Sequence, residues 1–144
     1  MPKIDFYILS NNELEPCYRY MCRVIEKAYK HKHKVYIHAE NQKEAQYVDE
    51  LLWTFEDTSF IPHNFIGEGP DQPPPVQLGH GEPTSNQNDI LINLSGSIPE
   101  FHQRFRRILE FIPQISDKQD AARERFRSYK EQGYTVNSHN ISKV

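Results

Sequence analysis

Three cations, Arg123, Arg127 and Lys130, recur at i, i+4 and i+7, and Ala122, Phe126 and Tyr129 recur at that spacing one position round. On a helix this lays a basic stripe beside an apolar one. Like charges four residues apart mildly destabilise a helix, so helix stability does not account for the arginine pair. Guanidinium groups bordering apolar side chains suit a carboxylate attached to a hydrophobic side chain. The plainer reading of such a stripe is a solvated face. A second group is Leu51-Leu52-Trp53-Thr54-Phe55 followed by Ser59-Phe60-Ile61-Pro62-His63 and the turn Gly67-Glu68-Gly69-Pro70. It holds the only Trp, at the end of an amphipathic pattern, beside a Pro/Gly-rich segment that spends Phe60, Ile61 and Phe65. Such a loop either tucks under the core or offers an anchor to a partner.

Other chemistries fare worse. Phosphate binding at a first strand-to-helix turn needs glycines that let the backbone approach the anion. Here that turn is Ser10-Asn11-Asn12-Glu13-Leu14-Glu15, with no Gly and two repelling carboxylates. Of seven histidines, His31 and His33 lie in the basic run Lys30 to Lys34 at a helix C-terminus, where a metal ion is disfavoured. His63 could be a ligand or a general base, but a His after Pro62 more often fixes its loop by hydrogen bonds. No nucleophile elbow or paired-carboxylate spacing is present. The reading is therefore no catalytic residues, no metal and no cofactor. Cys17 and Cys22 are five apart on one expected helix, a turn of about 500° that leaves them poorly placed to pair.

Strand and helix patterns alternate in the order that must position these residues. Lys3 to Leu9 reads as a strand, and Leu14, Cys17, Tyr18, Met21, Ile25 and Ala28 as a helix stripe. Lys34 to Ala39 reads as the second strand. Asn41 with Glu44 fits a capping box for a helix burying Ala45, Val48, Leu52 and Phe55. A loop is expected from Glu56 to Pro75, short strands at Val76 to Leu78 and Asp89 to Leu94, a polar turn from Gly81 to Asn88, and a short helix from Pro99 to Phe105. Ile108 to Ile112 reads as a strand stopped by Pro113. Ser116 or Asp117 can cap a last helix reaching Gln132, with Gly133 at its C-cap. A weak strand and a frayed tail over 136–144 are expected to follow. The order implies an α/β fold, a Rossmann-like open and mostly parallel sheet flanked by helices, in a single domain over 1–144.

Composition sets the outer limits. Net charge is −3, which gives the whole molecule no electrostatic case for gripping nucleic acid. Six of the eight arginines nevertheless crowd into 104–127, leaving a local basic patch open. Two cysteines without a Cys-x-x-Cys motif suit a reducing compartment, and no apolar run approaches a membrane span, so a cytoplasmic protein without membrane contact is expected.

Taken together, the chain resembles the chi subunit of bacterial DNA polymerase III holoenzyme. The match is carried by Asp5-Phe6-Tyr7-Ile8-Leu9, Asp49-Glu50-Leu51-Leu52-Trp53, Ser59-Phe60-Ile61-Pro62-His63-Asn64 with Gly67-Glu68-Gly69-Pro70, Asp89-Ile90-Leu91-Ile92, and Phe111-Ile112-Pro113 before Ala122-Arg123-Glu124-Arg125. The resemblance implies an accessory subunit without catalytic activity, paired with the psi subunit of the clamp loader. It also implies binding to the acidic, Phe-terminated tail of single-stranded DNA-binding protein, so that DNA is reached only indirectly. By position, Arg123 would clamp the tail's carboxylate, Arg127, Lys130 and Lys118 would face its acidic residues, and Ile112 and Phe126 would line the pocket for its Phe. Trp53, Phe60, Pro62 and His63 would form the psi-facing surface, for which a helicase is a further candidate. The chain has Gln119 where some relatives carry a Lys. Two rivals stay open: a small nucleotide-dependent α/β enzyme using His63 as base, and direct single-stranded DNA binding by the arginine-rich region with Phe126, Tyr129 and Tyr134 stacking on bases.

Overall fold

The structure is a computed structural model that describes residues 2–69, 71–83 and 89–142. Seven strands, β1 (Lys3–Leu9), β2 (Val35–His38), β3 (His63–Phe65), β4 (Val76–Gly79), β5 (Ile90–Asn93), β6 (Arg107–Ile112) and β7 (Thr135–Ile141), form one sheet in the order β3-β4-β2-β5-β6-β1-β7. Every neighbouring pair is parallel. Helices α1 (Leu14–Lys30) and α2 (Gln42–Thr54) cover one face, while α3 (Ser116–Glu131) and a 3-10 turn at Glu100–Arg104 cover the other. This is the Rossmann-like α/β architecture expected from the alternation of elements.

Both faces are filled because a parallel sheet is buried on both sides. Alternation along β1 shows the division: Ile4 and Phe6 pack under α3, whereas Leu9 packs under α1 and α2. On α1 the stripe Cys17, Met21, Ile25 is buried, and on α2 Ala45, Val48, Leu51 and Leu52 are buried. Each fully buried aliphatic side chain of this kind contributes roughly 1.5–3 kcal/mol before the entropy of ordering it. Both cysteines are free and buried, and burial pushes each thiol up to about 12.

Helix ends follow local chemistry. Pro16 falls in the first turn of α1, where its missing N–H removes no helix bond. Asn41 Oδ1 accepts from the Glu44 N–H at 2.9 Å, and Glu44 reaches back to the Glu40 N–H at 2.7 Å, one residue earlier than the usual capping box. Helices α1 and α3 end alike. His33 N–H bonds to Ala28 O and Lys32 N–H to Tyr29 O, just as Tyr134 N–H bonds to Tyr129 O and Gly133 N–H to Lys130 O. Both are Schellman closures that put the residue after the cap in the left-handed region: Gly133 at φ 90°, and Lys32 at φ 64°.

The structure departs from the sequence reading in three places. His63–Phe65, expected as loop, is an edge strand whose pairing with Val76–Leu78 of β4 supplies the order that three residues cannot encode locally. The residue capping α3 is Ile115, without a side-chain bond, in place of Ser116 or Asp117. The segment expected to fray from 136 onward is a strand as far as Ile141, in register with β1 along its whole length, because β1 offers it a partner. Pro70, the end of the polar turn at 84–88 and residues 143–144 lie outside the described residues.

Candidate functional site

Between α3 and the sheet runs a groove of about 580 Å³. Its floor is apolar, made by Phe6 and Ile8 of β1, Ile112 of β6 and Phe126 of α3. Phe126 meets Phe6 edge to face at 5.2 Å, and Lys130 Nζ lies 5.2 Å from the Phe126 ring centre. Arg123, Arg127 and Lys130 form the wall, with Gln119 and Glu131 at its ends. Arg123 pairs with Asp120 at 2.9 Å and Arg127 with Glu124 at 3.1 Å, all four side chains well exposed. Exposed pairs of this kind are worth little, so an incoming carboxylate can replace them at small cost. The groove thus brings together five of the six residues that the family resemblance implied for a tail site: Ile112, Arg123, Phe126, Arg127 and Lys130. Lys118 is the exception: it lines a separate crevice between α1 and α3, because one residue is about 100° of helix.

The orientation of α3 is fixed from below. Glu110, central in β6 and fully buried, takes Arg125 on Oε1 at 3.1 Å, and on Oε2 it accepts from Asn93 and from the Tyr129 hydroxyl, both at 2.9 Å. Arg125 also donates to the Gly96 carbonyl at 3.2 Å. Burial raises the Glu110 carboxyl, against the pull of Arg125, Asn93 and Tyr129. Arg125 is therefore a structural ion, and the C-terminal arginine cluster is less of a patch than its count implies. Arg107 is likewise held by Asp5 at 2.7 Å, and Arg104 donates to the Pro83 carbonyl at 3.1 Å. The sequence reading missed Glu110 and Asn93. The signal was an acid inside the apolar run Ile108-Leu109-Glu110-Phe111-Ile112.

At the opposite edge of the sheet Trp53 is 46% exposed and Phe60 66%, their ring centres 5.6 Å apart. These are the two most exposed aromatic side chains among the described residues. Ile61 is buried, so the loop tucks one side chain into the core while leaving Phe60 exposed. Pro62 is half-buried. His63 is not a surface residue: its side chain is 0% exposed, held between the Ile61 carbonyl and Asp49. This corrects its place among surface-forming residues.

The carboxyl ends of β5 and β6, where α/β folds commonly hold ligands, open on a crevice of about 230 Å³ lined by Glu40, Glu44 and Asp117 as well as Lys118 and Arg125. Three carboxylates oppose a nucleotide phosphate there. The Asn11 carbonyl after β1 is taken by the Gln114 N–H at 2.8 Å. Among the described residues no three His, Cys, Asp or Glu side chains are grouped to hold a metal ion. None of the described helices is long and apolar enough to cross a membrane.

An all-parallel α/β sheet thus carries a cation-walled apolar groove on one face and an exposed aromatic pair near its β3 edge. The family model of the DNA polymerase III chi subunit, HolC, matches residues 1–137. Three curated proteins named DNA polymerase III subunit chi are similar to the chain. That of Pseudomonas aeruginosa is 35% identical over the full length of both. That of Escherichia coli is 32% identical over 96% of this chain and 97% of its own, and that of Haemophilus influenzae 31% over 95% and 96%. The chain belongs to the DNA polymerase III chi subunit family, and so to the accessory subunits of a replicative polymerase complex.

Proposed function

We propose that this subunit joins the clamp loader to protein-coated single-stranded DNA, taking the acidic C-terminal tail of single-stranded DNA-binding protein in the α3 groove and a psi-type subunit on the Trp53–Phe60 surface. In this reading the chain performs no catalysis, and DNA is reached through the coating protein. The observation that carries it is the pairing of an apolar pocket at Phe6, Ile8, Ile112 and Phe126 with Arg123, Arg127 and Lys130 on one wall. An apolar side chain next to its own terminal carboxylate is the ligand that such a pocket fits. Arg123 takes the carboxylate, and Arg127 and Lys130 face the preceding acidic residues. Trp53 and Phe60 supply the aromatic anchors typical of an interface hot spot. Direct base stacking by the arginine-rich region is the weaker reading, since Tyr129 and Tyr134 are buried.

The test is a fluorescence-anisotropy titration of a labelled acidic peptide ending in Pro-Phe at two salt concentrations. Saturable binding near the micromolar range, about −8 kcal/mol, is expected, weakening with salt and lost in Arg123→Ala. Absence of binding at low salt would remove the tail from this account.

A further inference from the structure

The ring of His63 is walled in by oxygen acceptors on both sides. Nδ1 lies 2.6 Å from the Ile61 carbonyl oxygen, and Nε2 lies 3.1 Å from the Asp49 carbonyl oxygen and 3.1 Å from Asp49 Oδ1. A neutral imidazole has one N–H and one lone pair. With a carbonyl on one nitrogen and a carbonyl and carboxylate on the other, the neutral ring sets a lone pair against a lone pair, whichever tautomer it takes. Only the imidazolium donates to both. The ring also lies 4.1 Å from the Trp53 indole, centre to centre, so a cation there sits against an electron-rich face.

From these contacts we infer that His63 is a charged staple and the positioning residue of the Trp53–Phe60 docking surface, holding the two exposed rings in register only while doubly protonated. One arm ties the loop through Ile61, next to Phe60, and the other ties α2 through Asp49, one helical turn before Trp53. Loss of the proton breaks one arm and lets the Phe60 loop part from α2. Among the described residues Asp49 is the charged side chain in contact with the ring; the loop offers a carbonyl, and β4 brings Val76 in register behind it. The inference about docking rests on the function proposed above, whereas the charge of the ring does not.

Trp53 is the only tryptophan, so its emission reports this ring alone. An imidazolium against the indole quenches it. The 15N signals of the wild type are expected to show both His63 nitrogens protonated, and its emission to be quenched relative to His63→Gln, which should be bright. A psi-type subunit should bind His63→Gln about tenfold more weakly than the wild type. One His63 nitrogen unprotonated, with emission equal to that of His63→Gln, would overturn the staple. Quenched emission in the wild type with unchanged partner affinity in His63→Gln would overturn the positioning role. No psi-type binding to the wild type would sink the docking reading and leave the ring's charge to stand on its spectra.

Discussion

A single carboxylate decides which face of α3 meets the groove. Glu110 is acceptor-only when ionised, and four donor contacts from Arg125, Asn93 and Tyr129 converge on it in the core. Removing one partner strands a buried charge, so Arg125→Ala should cost about 3–5 kcal/mol in chemical denaturation, far more than Arg123→Ala on the exposed wall. Asp5 gives a pH signature of its own. Burial raises its carboxyl, but hydrogen bonds from His139 at 2.9 Å and Arg107 at 2.7 Å outweigh that and hold it below the ordinary value. A depressed carboxyl contributes stability above its unfolded pKa, near 3.9, and loses it as pH falls through the folded value. Thermal unfolding of Asp5→Asn should accordingly show a shallower loss of stability in acid than the wild type. None of these partnerships was legible in the chain, since each joins residues far apart in sequence.

Elements were far more legible than their terminations. The stripes on α1, α2 and α3 and the apolar runs of β1, β2, β5 and β6 carry their own periodicity, and the structure realises them. The wall of the groove was readable for the same reason, since Arg123, Arg127 and Lys130 share one helix face. The β1 half of its floor was not, because Phe6 and Ile8 reach it only through the pairing of β1 with β6. Short edge strands escaped because their order comes from a neighbour. The two Schellman closures yield a prediction. Gly133 occupies its left-handed position at no steric cost, whereas Lys32 pays a penalty there. Lys32→Gly should stabilise the protein by about 0.5–1 kcal/mol, read as a rise in melting temperature of roughly 1–4 °C. On α1, the thiols of Cys17 and Cys22 are pushed up to about 12 by burial, so a disulfide reagent should label neither until the protein unfolds.

At the scale of the molecule the groove and the aromatic pair lie on opposite faces and near opposite edges of the sheet. The strand beneath the groove is five places from β3, about 24 Å at ~4.8 Å per strand. Neither surface shares a residue with the other, so a tail peptide and a psi-type subunit should bind together, each with the affinity it shows alone in a paired titration. Strand order has a consequence of a different kind. β1 precedes the other six strands, yet its two neighbours are β6 and β7, and Asp5 bonds to residues 102 and 134 positions later. Synthesis therefore runs against assembly: β1 emerges with neither partner and must wait for more than a hundred further residues before either ladder can close. With both its ladders closing such long loops, this half of the sheet is the slower part to form, and it closes only after β7 has been made.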